Sequence, residues 1–264
     1  MKRSKRLLCV AACILLPLML AACSQDKSMA YSRAVETFAA GDYAAAAEAF
    51  SRLSGYANSD TYLAYSQGLV LYEQGRFAAA EPYFAQTRSF MYGDERYQYC
   101  HAWALAEDGQ YTEAAALYEQ MGDFEDAAQR RQYCLACAAE GVKDYETALF
   151  AYEAAGSCAD AEERLYNLQG QVYNRAIELK ASGDYQQSID LFNLLGNYLS
   201  SPNQAVEAKE YLRDETYQQA DVLLASGDLQ GAYDLFSSLG SYRDASQRAE
   251  ELASSLGIEI QSEP

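Results

Sequence analysis

The sequence predicts an all-α protein, an α-solenoid of about six helical hairpins with a C-terminal capping helix, and three observations carry that prediction. A turn phrase recurs along the chain as Gly41-Asp42-Tyr43, Gly75-Arg76-Phe77, Gly109-Gln110-Tyr111, Asp144-Tyr145, Gly183-Asp184-Tyr185 and Gly227-Asp228-Leu229. Its last residue falls at 43, 77, 111, 145, 185 and 229, with spacings of 34, 34, 34, 40 and 44, and a repeated period of this length marks stacked helical units. Small residues and rings keep fixed places around that turn. Ala34, Gly68, Ala102, Ala136, Ala176 and Ala220 stand nine residues before it, while Ala46, Ala80, Ala114, Ala148, Ser188 and Ala232 stand three after it. Four residues further on is a ring: Phe50, Phe84, Tyr118, Tyr152, Phe192 and Phe236.

Taken from the start, residues 1–22 read as an export signal. Lys2, Arg3, Lys5 and Arg6 form a positive segment, and Leu7 to Leu20 is an apolar run too short to span a bilayer. The run ends in Leu20-Ala21-Ala22-Cys23, which resembles the lipobox of bacterial lipoproteins. That resemblance implies a lipidated Cys23 as the first mature residue. It also implies a tether over residues 23–30, and Ser24 to Ala30 reach at most roughly 25 Å when extended. The resemblance places the protein on the cell membrane or the outer membrane, facing away from the cytoplasm. Ser24, where Asp is absent, permits the outer membrane of a two-membrane envelope, and the sequence leaves the envelope type open.

Residues 31–256 form the repeats. Segments on both sides of each turn are rich in Ala, Leu, Glu and Gln, with apolar residues at three- and four-residue steps, so each is an amphipathic helix. Gly ends the first helix, and Asp42, Asp184 and Asp228 are placed to cap the second. Small residues mark the crossing of the two helices, where backbones approach, and the ring fills the space beside it. A lone hairpin cannot bury its apolar faces, so neighbours stack. The pattern resembles the tetratricopeptide repeat over residues 31 to about 245. It departs from that family in lacking Pro between repeats, where phrases such as Gly122-Asp123-Phe124-Glu125-Asp126-Ala127 and Gly240-Ser241-Tyr242-Arg243-Asp244-Ala245 stand instead. The two long spacings place longer first helices at Asp160 to Ala181, interrupted near Gly170, and at Asn203 to Ser226. Repeat four has its Gly at 141, two residues early. Asp244 to Leu256 is a capping helix, and 257–264 a tail.

Among functional candidates, the most regular is a Tyr twelve residues before each turn aromatic: Tyr31, Tyr65, Tyr99, Tyr133, Tyr173 and Tyr217. The resemblance places this position on the concave groove, where a tyrosine stripe joined by Trp103 offers rigid contact area to a protein partner. Rings at this place can equally pack neighbouring first helices together. The acidic-tail clamp of chaperone-binding repeats, made of Lys and Asn, is absent, because Val35, Leu69, Trp103, Cys137, Ile177 and Asp221 occupy the adjacent places. After Cys23 come Cys100, Cys134, Cys137 and Cys158. Three readings are open for them: buried thiols acting as small hydrophobes, one disulfide between Cys137 and Cys158, and a zinc site lacking paired CxxC knuckles.

Charge excludes further classes. The chain carries 20 Lys and Arg against 38 Asp and Glu, net −18. Cleavage before Cys23 removes four cations and gives −22, so nucleic acid is not a partner and a neutral or basic protein is preferred. His101 is the only His, and nucleophile elbows, phosphate loops, dinucleotide fingerprints and zincin helices are missing, so no catalytic residue, metal or cofactor is expected. Function is expected to be that of a membrane-tethered envelope scaffold that binds another envelope protein. The alternative is a ligand-binding module for peptide or cell-wall glycan on the Tyr stripe, and an envelope hydrolase ranks last.

Overall fold

A computed structural model describes residues 26–258 and shows the all-α solenoid of helical hairpins, with no strand among the described residues. Helix α1 covers 26–39 and is followed by α2 (Tyr43–Ser51), α3 (Ser59–Glu73), α4 (Phe77–Gln86), α5 (Gly93–Glu107), α6 (Tyr111–Met121), α7 (Ala127–Gly141), α8 (Tyr145–Ala155), α9 (Ala161–Ser182), α10 (Tyr185–Leu194), α11 (Ser201–Ser226), α12 (Leu229–Leu239) and α13 (Ala245–Leu256). Residues 26–30, read from sequence as tether, are already helical. Cys23 and residues 259–264 lie outside the described residues. The chain divides into two compact units, one up to Ala161 and one from Glu162.

Turn chemistry explains the boundaries. Asp42 and Asp228 accept from the amides of Ala45 and Gly231 at 3.0 and 2.9 Å, capping α2 and α12. Asp184 makes no such bond, and its carboxylate instead takes the Ser182 hydroxyl at 3.0 Å. In repeat four the left-handed turn residue is Lys143, at φ 61, because Gly141 remains inside α7; Asp144 then caps α8 through the Thr147 amide at 3.2 Å. Between repeats, Gly122, Gly156 and Gly240 adopt φ near 58 with ψ near −125, a conformation closed to side chains. Each inter-repeat turn then holds a left-handed residue just before the next helix cap: Ala57, Met91, Glu125, Ala159, Leu199 and Arg243.

The crossing residues bear out the sequence pattern. Ala46, Ala80, Ala114, Ala148, Ser188 and Ala232 are all fully buried, as are the rings Phe50, Phe84, Phe192 and Phe236, with Tyr118 and Tyr152 buried beside their own crossings. Ser188, which replaces Ala, donates its hydroxyl to the Ala176 carbonyl at 2.8 Å, so it leaves no buried polar group unpaired. In the first unit α2 packs on α3 and the succession continues through α8; in the second, α10 packs on α11, α11 on α12 and α12 on α13. Helix α9 runs unbroken through Gly170, against the interruption read from sequence. In α11 the ten extra residues separate an N-terminal part bearing Ala205 and Ala208 from a C-terminal part bearing Ala220, so one helix closes one hairpin and opens the next.

Candidate functional site

The tyrosine stripe is built into the joints between repeats. Tyr99 and Tyr65 are only 3% and 2% exposed, which corrects the expectation that these two rings offer contact area to a partner. The Tyr99 hydroxyl donates to Asp126 Oδ1 at 2.6 Å and accepts from Arg130 Nε at 2.5 Å. Tyr133 donates to Asp160 Oδ1 and Tyr217 to Asp244 Oδ1, both at 2.6 Å, while Tyr173 lies 2.7 Å from the Ser200 hydroxyl. Tyr65 accepts from Arg96 Nη1 at 2.9 Å. Tyr31 packs edge-on against Phe50, Tyr56 and Tyr62. Asp126, Asp160, Ser200 and Asp244 each lie twenty-seven residues beyond their tyrosine, immediately before the next first helix. Asp126 and Asp244 sit at cap positions yet make no side-chain cap bond, because their carboxylates are given to the stripe instead.

Electrostatics follow from this burial. Burial raises the Tyr99 phenol, and the bond to Asp126 raises it further; burial raises Tyr118 and Tyr133 as well. Burial works against the Arg130 cation, but Tyr99 and Asp126 outweigh it and hold the guanidinium charged. Arg130 is paired with Asp126 at 2.7 Å and lies 4.0 Å from the Trp103 ring centroid, whose other neighbour is Phe77 at 4.6 Å. Trp103 is thus half-buried between a cation and a ring.

No disulfide forms among Cys100, Cys134, Cys137 and Cys158, which corrects the pairing of Cys137 with Cys158. Cys137 is buried and its sulfur lies 3.5 Å from the Tyr152 hydroxyl, which donates to Glu140 at 2.5 Å. Burial pushes Cys100 and Cys134 up to about 12, and raises Cys158 too, so all three are poor nucleophiles at neutral pH. Among the described residues no cluster of His, Cys, Asp and Glu is arranged to hold a metal. His101 lies on α5 with Nδ1 2.9 Å from Glu81, its ring stacked on Tyr97.

A pocket of about 230 Å³ opens on the first unit, lined by Trp103, Ala106, Glu107, Tyr111, Tyr118, Arg130, Tyr133, Cys134 and Ala159. Two sequence-predicted residues, Tyr133 and Trp103, meet here; the other stripe tyrosines do not. Ala106, Glu107 and Arg130 carry no mark in the sequence pattern, and Tyr111 stands there only as a turn aromatic. The signal that finds Ala106 is the residue seven after each stripe tyrosine, which is Phe38, Tyr72 and Ala106 in the first three repeats. Glu107, on the rim, is exposed.

No protein-family model matches the chain, and no curated protein matches it significantly. The fold and site define an all-helical repeat-like protein with an aromatic pocket on its first unit. No helix among the described residues is long and apolar enough to cross a membrane.

Proposed function

We propose that this is a tetratricopeptide-like envelope lipoprotein, anchored through Cys23, that acts as a non-enzymatic scaffold for another envelope protein. The observation that supports it most is the half-exposed aromatic pocket around Trp103, Tyr111 and Tyr133, beside stripe tyrosines such as Tyr99 and Tyr217 whose hydroxyls are engaged between repeats. Rigid aromatic walls give contact area at low entropy cost and are frequent anchors of protein interfaces. Excess acid disposes the body towards a neutral or basic partner. The export segment and lipobox supply the address, and no helix among the described residues is long and apolar enough to cross a membrane. The glycan alternative depends on an open tyrosine stripe, and the engagement of those hydroxyls weighs against it.

Two measurements test the reading. Labelling with a clickable fatty acid should mark the wild-type chain and not Cys23→Ser. A photo-crosslinking amino acid at position 107, in intact envelopes, should give one defined protein adduct, while the same probe at the exposed Phe150 should give none. Absence of labelling removes the anchor, and absence of an adduct at 107 removes the scaffold.

A further inference from the structure

The pocket is the space of a missing ring. In repeat two, Tyr72 packs against Phe77 at 5.0 Å, Phe84 at 5.9 Å and Tyr99 at 5.6 Å between centroids. In repeat one, Phe38 lies in the same place, 5.3 Å from Tyr43 and 6.1 Å from Tyr65. The equivalent position in repeat three is Ala106, and the residues equivalent to Phe77, Phe84 and Tyr99 are Tyr111, Tyr118 and Tyr133. All three line the pocket together with Ala106. The chain itself therefore shows twice what this framework holds, one six-membered aromatic ring among other rings: Tyr72 meets Phe77 and Phe84 edge-on and Tyr99 at a tilt, and Phe38 meets Tyr43 and Tyr65 at a tilt. The space of about 230 Å³ is enough, since a cavity of roughly 150 Å³ takes benzene.

We propose that repeat three accepts an aromatic side chain, Phe or Tyr, from a protein partner, with a neighbouring Lys or Arg of that partner held by Glu107. This inference rests on the scaffold reading and names the chemistry its site recognises. Arg130 is neutralised by Asp126, whereas among the described residues no ion pair or hydrogen bond involves the Glu107 carboxylate, which is left at the rim. The undescribed ends of this chain, 1–25 and 259–264, contain no aromatic residue, so they cannot supply the ring. The occupant comes from elsewhere, and a net charge of −18 favours one with a basic flank.

Trp103 is the only tryptophan and lines the pocket, so its fluorescence reports occupancy directly. The full chain is titrated with an acetylated, amidated Gly-Lys-Phe-Gly peptide and with versions carrying Leu for Phe or Glu for Lys. The expected result is a saturable change with the Phe peptide, weakened about five-fold for Leu through loss of the ring–ring contacts, and weakened also by Glu. Ala106→Tyr, which rebuilds the arrangement around Tyr72, should abolish binding while melting at or above the wild-type temperature. A folded Ala106→Tyr that binds as wild type does, or equal binding of Phe and Leu peptides, overturns the proposal. Should Ala106→Tyr fail to fold, Glu107→Lys at the exposed rim decides: it must reverse the preference between Lys and Glu peptides, and an unchanged preference overturns the proposal. Sedimentation showing that the pocket is filled by a second copy also overturns it. An envelope adduct at position 107 with a flat peptide titration removes the aromatic pocket and leaves the scaffold, whereas peptide binding without any adduct removes the scaffold.

Discussion

Tyr99 shows why a residue repeated six times in register can be structural without being apolar. Its ring lies between Tyr72, Phe77, Tyr118 and Phe124, and its hydroxyl closes a bond to Asp126 in the next repeat, while Arg130 of that repeat donates back. Tyr99→Phe keeps the packing and leaves Asp126 and Arg130 paired with each other, so it should cost about 1–2 kcal/mol, read as a lower urea midpoint with unchanged slope. Tyr99→Ala removes the ring as well and should cost about 3–5 kcal/mol. Equal costs would mean that the hydroxyl carries the joint and the ring nothing. Cys100 and Cys134 give a second residue-level expectation. Burial raises both thiols from 9.0 to about 12 in the folded chain, so the folded state keeps protons that the unfolded chain releases. Their stabilisation is complete below about pH 9 and is lost as pH rises towards about 12, on the order of 1.4 kcal/mol for each pH unit and each thiol. Melting temperature should fall from about pH 9 upwards, with buried tyrosines such as Tyr99 and Tyr118 adding to the fall as pH nears 10, and a Cys100→Ala, Cys134→Ala double variant should make that fall shallower. An equal fall in the double variant would assign alkaline unfolding to other groups.

Elements meet at the first residues of each first helix, where Ser59, Gly93, Ala127, Ala161, Ser201 and Ala245 are all buried. Five of these carry a Cβ; Gly93 cannot, because a Cβ there would lie 2.0 Å from the Thr87 carbonyl oxygen and 2.8 Å from its carbon. Both atoms belong to backbone, which cannot swing aside. Gly93→Ala should therefore destabilise by at least about 1–3 kcal/mol, whereas the reverse change Ala127→Gly should cost only about 1 kcal/mol; a urea midpoint for Gly93→Ala equal to wild type would show that the turn can open. This scale also separates what the sequence discloses from what it hides. Hairpins, crossing alanines and their rings are legible because each is a short-range requirement repeated at one period. The joints are not, because an Asp at a cap position reads as a cap; only the fold shows Asp126 and Asp244 turned towards Tyr99 and Tyr217. The pocket escapes for a related reason. It is made by what Ala106 lacks, and an alanine on a helix attracts no notice until Phe38 and Tyr72 are seen in the places it leaves open.

For the whole molecule the governing quantity is charge. With 38 acidic and 20 basic residues the chain carries a net −18, or −22 without the four cations of residues 1–22, and that repulsion opposes folding. Ion pairs such as Arg52 with Glu48 and Arg213 with Glu210 are exposed and contribute about 0–1 kcal/mol each. Raising salt from about 10 to 150 mM shortens the screening length from about 30 to 8 Å, which relieves the repulsion more than it weakens those pairs. A gain of about 1 kcal/mol would raise the melting temperature by roughly 2–4 °C in a chain of this size. Binding of the Lys-Phe peptide should weaken over the same salt range, since its cation is attracted by Glu107 and by the surrounding excess of acid. The two trends have opposite signs, so weaker binding at higher salt cannot be a consequence of unfolding. If melting temperature falls with salt, the ion pairs outweigh the net charge. If binding is indifferent to salt while melting rises, the pocket takes the ring alone and Glu107 has no part in choosing its partner.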